Sequence, residues 1–178
     1  MFTKDGYRVV VEEGSHVADH KAFDLLWRAV PLITAKGETV VARNVDTGEY
    51  IGKDHCTYVS PWVNTPAIKF YFAKRGNREG YSRMVEGMNP IPTRHVSVVL
   101  VWNEKGDCYN AITCYAGLLA PREPWDPTLQ DDPAALTESK AFWAAHAIIH
   151  DNSTTLTRFN PVPAGWEYLP YFEGPDTH

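Results

Sequence analysis

The side chains best suited to proton transfer near neutral pH converge on one stretch of this 178-residue chain. His95 opens the run His95-Val-Ser-Val-Val-Leu-Val-Trp102, and Thr113-Cys-Tyr115 closes the run Cys108-Tyr-Asn-Ala-Ile-Thr-Cys-Tyr115. An imidazole titrates close to neutrality and serves as general acid or base, while hydroxyls and a phenol can hold an anionic oxygen. The two runs flank the turn Asn103-Glu-Lys-Gly-Asp107, so they read as a central antiparallel hairpin. Placing Trp102 opposite Cys108 sets His95 against Tyr115 and Ser97 against Thr113. All four then share one face, with opposed Cβ atoms roughly 4.5–5.5 Å apart. Further along that face come Val99 with Ala111 and Val101 with Tyr109. A slip of one residue would send His95 and Tyr115 to different faces.

His55 lies in the polar stretch Lys53 to Asn64, which lacks periodicity and reads as a loop; it is the candidate second titratable group. Two i, i+4 histidine pairs, His16 with His20 and His146 with His150, would each put both imidazoles on one helical face. Neither pair carries the Glu of a His-Glu-x-x-His motif, and His16 reads as preceding its helix, so no metal site is expected. No Gly-x-Ser-x-Gly, phosphate-binding loop or dinucleotide fingerprint occurs, and no cofactor is expected. The three cysteines, Cys56, Cys108 and Cys114, have no C-x-x-C spacing, which fits reduced thiols in a cytoplasmic protein.

Tyr7 to Glu12 reads as a strand, and Asp19 to Val30 places Ala22, Phe23, Leu26, Trp27 and Val30 at helical spacing before Pro31. Thr39–Arg43 and Glu49–Gly52 read as a hairpin about Asp46-Thr-Gly48. A strand follows at Ala67–Ala73, then a glycine- and proline-punctuated loop from Gly76 to Pro92. After the central hairpin come a proline-rich strap, pinned by Trp125, and a helix from Glu138 to His150 that carries Phe142, Trp143 and His146 on its spacing, with only an approximate capping box at Thr137-Glu-Ser-Lys140. The tail Asn160–His178 reads as an extended wrap. The fold class expected is α+β: an N-terminal helix packed on a small antiparallel β-sheet, with a proline-rich strap and a C-terminal helix, in one domain spanning 1–178.

With 44% hydrophobic residues the chain can bury a core, at roughly 70% of the unfolded surface for this length, which excludes global disorder. No apolar run approaches the roughly 18 residues of a membrane helix, so no membrane partner is expected. The formal charge of −5 argues against binding nucleic acid through bulk positive charge. The sum conceals a segregation. Lys69, Lys74, Arg75, Arg78, Arg83 and Arg94 face only Glu79 and Glu86 between Ile68 and His95, whereas Arg122 to Asp151 is acidic.

The helix, the small sheet and the last strands His95–Trp102 and Ala111-Ile-Thr-Cys-Tyr115-Ala-Gly117 resemble the superfamily of barnase, EndoU, colicin and RelE-type ribonucleases over roughly Val17 to Gly117, with Thr113-Cys-Tyr115 matching the hydroxyl-then-tyrosine element of EndoU-like members. The resemblance implies metal-independent, toxin-like cleavage of RNA by 2′-hydroxyl transesterification. His55 and His95 would be acid and base in unassigned order, and Thr113 and Tyr115 would hold the phosphate. Lys69 or Arg94 would offset its charge, with Lys53 and Lys69 both candidates for the family lysine, and Lys53, Arg83 and Ser97 would complete the RNA-binding set. The rival class is a non-catalytic binding or inhibitory protein of phage or mobile-element type, whose partner is another protein.

Overall fold

The computed structural model describes residues 2–4, 6–13, 15–18, 20–58, 67–75, 80–150 and 159–161. In chain order the elements are β1 (Phe2–Lys4), β2 (Tyr7–Val10), α1 (His20–Ala29), β3 (Val40–Asp46), β4 (Gly52–Asp54), β5 (Cys56–Tyr58), β6 (Lys69–Arg75), β7 (Tyr81–Glu86), β8 (Ile91–Thr93), β9 (His95–Asn103), β10 (Cys108–Ala116), α2 (Pro133–Ala145), β11 (His146–Ile149) and β12 (Phe159–Pro161). The chain mixes helix and strand, with strand dominant. Two strands precede α1, so the expected N-terminal helix does not open the fold. No described helix is long and apolar enough to cross a membrane.

Contacts divide the chain into two compact units, Met1–Asp54 with Pro92–Leu119, and His55–Ile91 with Ala120–His178. The first holds a five-stranded sheet in the order β1-β2-β10-β9-β3, antiparallel except where β2 runs parallel to β10. One face of it carries Val96, Val98, Leu100, Tyr109, Ala111 and Cys114, and α1 packs there through Leu26 and Ala29. The other side of α1 exposes Lys21, Asp24 and Arg28 and, with them, Trp27, 60% exposed, which the spacing assigned to the apolar face. Each fully buried aliphatic side chain contributes about 1.5–3 kcal/mol. Tyr7, Trp102 and Tyr109 meet edge to face at one end, with ring centroids 4.9–5.9 Å apart. The Asp46-Thr-Gly48 turn forms, with the Gly48 amide donating to Asp46 Oδ1 and Gly48 at φ +81. The hairpin expected around it does not: β3 pairs with β9, and β4 pairs with β8 in a two-stranded ribbon.

The second unit holds the sheet β12-β6-β7-β11-β5, in which β7 and β11 run parallel. Part of the expected loop Lys53–Asn64 is strand, in β4 and β5, and so are Tyr81–Glu86 and the first two residues of Ile91–Thr93 within the expected loop Gly76–Pro92; positions 59–64 and 76–79 of these loops lie outside the described residues. The polar letters Lys53, Asp54 and Arg83 mask short strands that gain their stability from neighbours distant in sequence. α2 starts earlier than its apolar spacing suggests, because Asp132 caps it by accepting from the Ala135 amide and Pro133 fits the first turn. Thr137 is inside that helix, its hydroxyl donating to the Pro133 carbonyl. The helix stops at Ala145 rather than running to His150. Arg83 caps its final carbonyls by donating to that of Ala144, and β-branched Ile148 and Ile149 continue as β11. His146 and His150 thus do not share a helical face. The strap is tied to α2 by Trp143 Nε1 donating to the Pro121 carbonyl and Ser139 Oγ to that of Arg122. Trp125 lies on Gly80, where an added Cβ would come within 2.0 Å of the indole. Of the expected C-terminal wrap, only Asn160 and Pro161, within β12, belong to the described residues.

Candidate functional site

The central hairpin closes one residue differently from the sequence expectation. Asn103, not Trp102, opposes Cys108. The loop is then Glu104–Asp107, held by Gly106 N–H donating to the Asn103 carbonyl and by Asp107 in the left-handed region at φ +47. Tyr109 and Ala111 consequently face the core, opposite Trp102 and Leu100, instead of lining the outer face with Val101 and Val99. This is the slip that would separate His95 from Tyr115. A bulge between Ala111 and Thr113 restores the alternation: Ile112 is the extra residue, and beyond it Thr113 opposes Val99 and Tyr115 opposes Ser97. His95, Ser97, Thr113 and Tyr115 therefore do share one face, although the opposed pairs differ from those expected.

The third strand completes this face. β3 sets Asp46 opposite His95 and Asn44 opposite Ser97, and opposed residues in an antiparallel pair have Cβ atoms roughly 4.5–5.5 Å apart. Asp46 is held on both oxygens, Oδ1 by the Gly48 amide at 2.8 Å and Oδ2 by Arg94 Nη2 at 2.9 Å. A carboxylate has about four acceptor positions, so two remain. The His95 amide donates to Thr93 Oγ1 at 3.1 Å, its carbonyl accepts from the Gly117 amide at 2.9 Å, and its ring Nδ1 is buried without a hydrogen-bond partner.

Ser97 has a different environment from its neighbours. It is fully buried, donates from Oγ to the Gly117 carbonyl at 2.8 Å, and accepts from Asn44 Nδ2 at 3.0 Å, which also reaches that carbonyl at 2.9 Å. Its hydroxyl ties strands together. Tyr115 is partly exposed and donates from its phenol to the Leu118 carbonyl at 3.3 Å. Arg94 sits beside the site through its ion pair with Asp46, and Lys53 is exposed on β4.

The remaining sequence candidates belong to the second unit. The His55 carbonyl accepts from the Ile149 amide at 2.7 Å. Lys69 opens β6 opposite Glu86. Arg83 donates to the carbonyl of Ala144 at 2.8 Å and lies 5.2 Å from the centre of the Phe70 ring; burial pulls its guanidinium below its ordinary range. That makes it a helix cap. His146 stacks on Phe142 at 3.9 Å and donates from Nδ1 to the Phe142 carbonyl, while His150 Nδ1 meets Glu86 at 3.0 Å. Among the described residues no three His, Cys, Asp or Glu side chains gather as a metal ion would need.

Sequence reading missed Asp46 and Asn44 as neighbours of His95. The Asp46-Thr-Gly48 motif marked a turn, but which strand β3 would join was a long-range choice. The face continues past Val99 to a hollow of about 390 Å³ beside the hairpin loop, between Val101, Trp102, Asn110 and Ile112. Chemically, its polar end offers one imidazole, one carboxylate, one guanidinium, one phenol and the Thr113 hydroxyl. No family model, curated protein or solved structure matches this chain.

Proposed function

We propose that the chain is a metal-independent ribonuclease that cleaves RNA by 2′-hydroxyl transesterification at the polar end of the first unit's sheet. The observation that carries this reading is the Ile112 bulge, which sets Thr113 and Tyr115 on the face of His95 and Asp46. Transesterification needs a base for the 2′-hydroxyl, an acid for the leaving 5′-oxygen and donors for the charge on the phosphorane. His95 supplies one proton-transfer group. Asp46, directly opposed to it, is the carboxylate in place for the other, a role the sequence assigned to His55. Arg94 balances phosphate charge, and Thr113 and Tyr115 donate to its oxygens. The buried Nδ1 of His95 has no hydrogen-bond partner, and leaving such an atom unsatisfied costs about 1–3 kcal/mol, a cost of the kind functional sites carry. Incubating the purified protein in EDTA with total RNA tests the reading: the wild type degrades the RNA and His95→Ala leaves it intact.

A second reading has its own support. Val40, 54% exposed, and Ile112, 46% exposed, extend the same face with apolar surface, and a non-catalytic protein that binds a protein partner would use it. In that case both proteins leave RNA intact, and Ile112→Lys weakens the partner complex.

A further inference from the structure

We infer that Asp54 is a positioning residue for this site, fixing the Tyr115 phenol through Leu118 and the His95 backbone through Gly117; the inference rests on the ribonuclease reading for its catalytic consequence. Asp54 is only 8% exposed, and burying a carboxylate is unfavourable unless its oxygens are engaged. Oδ2 accepts from the Leu118 amide at 2.9 Å, and the Leu118 carbonyl accepts the Tyr115 hydroxyl at 3.3 Å. One peptide-flanked residue thus links the buried carboxylate to the phenol.

Oδ1 closes off the space beside the preceding residue. A Cβ on Gly117 would lie 2.6 Å from it, and Gly117 adopts φ +122, a conformation L side chains rarely reach. The Gly117 amide donates to the His95 carbonyl, and its carbonyl accepts from both Ser97 and Asn44. Strands β3, β4 and β9 therefore all converge on the two residues that follow β10. A hairpin needs no such buried web to end. Its effect is to hold the end of the face where His95 and Tyr115 sit, and displacements of about 1 Å can change a catalysed rate by 10²-fold.

The test compares Asp54→Ala, Asp54→Asn and a control destabilised elsewhere, Leu26→Ala. We expect Asp54→Ala to lower kcat for RNA cleavage by roughly 10- to 100-fold with little change in KM, and to shift the His95 and Tyr115 ring resonances in NMR spectra. Asp54→Asn, whose Oδ1 still accepts from Leu118, restores both, and Leu26→Ala shifts neither ring. If Asp54→Ala does not fold, Asp54→Ser, too short to reach Leu118, takes its place in every comparison. Unshifted rings, or equal shifts in Leu26→Ala, overturn the inference. A wild type without ribonuclease activity overturns the functional reading instead, while the ring resonances still decide the role of Asp54.

Discussion

Asp46 stands directly opposite His95 across β3 and β9, with its carboxylate held by the Gly48 amide on one oxygen and by Arg94 on the other. The pairing places an acid and an imidazole side by side on the polar end of a sheet face, with a guanidinium adjoining. Loss of either proton-transfer group should cost roughly 10²–10⁴-fold in rate. We therefore expect Asp46→Asn and His95→Ala each to reduce kcat by that order, with the double variant close to the worse single one because the two act as a unit. Single-turnover cleavage of a short RNA measures it.

The Ile112 bulge is the second element open to direct attack. Inserting an alanine before Ile112, with the bulge still one residue wide, shifts every later pair by one and would turn Thr113 and Tyr115 toward the core and Cys114 outward. The insertion should abolish activity and lower stability by several kcal/mol, on the order of a large core substitution, whereas Ile112→Thr, which keeps the count, should leave both near wild type. Urea denaturation and the cleavage assay distinguish the two.

How far these features could be read in the sequence varied with their range. Helix α1 and the two runs of the central hairpin announce themselves by period and by β-branched content, and the structure places them within a residue or two. The register between those runs was not legible. It depends on Asp107 taking a left-handed conformation and on a bulge at Ile112, the middle residue of the closing strand, neither of which alters the apolar pattern enough to mark it. Strands β5 and β7 escaped for another reason: each is short, and β7 finds its parallel neighbour β11 more than sixty positions away. The same long-range pairing hid Asp46 from His95, since nothing local to Val40–Asp46 names β9 as its partner.

In the core of the first unit, Leu26 is fully buried against the sheet. Leu26→Ala should destabilise the protein by about 2–5 kcal/mol, while Asp24→Ala on the exposed side of the same helix should change stability by no more than about 1 kcal/mol. Chemical denaturation of the two variants checks the contrast.

Alkaline pH should unfold this unit. Burial pushes the Cys114 thiol up to about 12, and burial, then the neighbouring Tyr7 and Glu38, raise the Tyr109 phenol above its ordinary value. Both groups hold their protons longer folded than unfolded, so the stability they contribute is present below the unfolded values and is lost as pH rises through the window from about 9 to about 12. For Cys114 alone the loss is on the order of a few kcal/mol. Stability measured from pH 8 to 11 should fall, and more shallowly in Cys114→Val. Native Cys114 should also resist a thiol reagent at pH 8 until the protein is unfolded.

In the proposed reaction His95 and its neighbours drive attack by a ribose 2′-hydroxyl. The most direct measurement uses a short oligoribonucleotide, in EDTA, alongside the same strand with 2′-deoxyribose at each cleaved linkage. The ribonuclease account predicts 2′,3′-cyclic phosphate ends from the first and no cleavage of the second, with both intact in His95→Ala. Cleavage of the deoxy-substituted linkages, or identical products from His95→Ala, would contradict it.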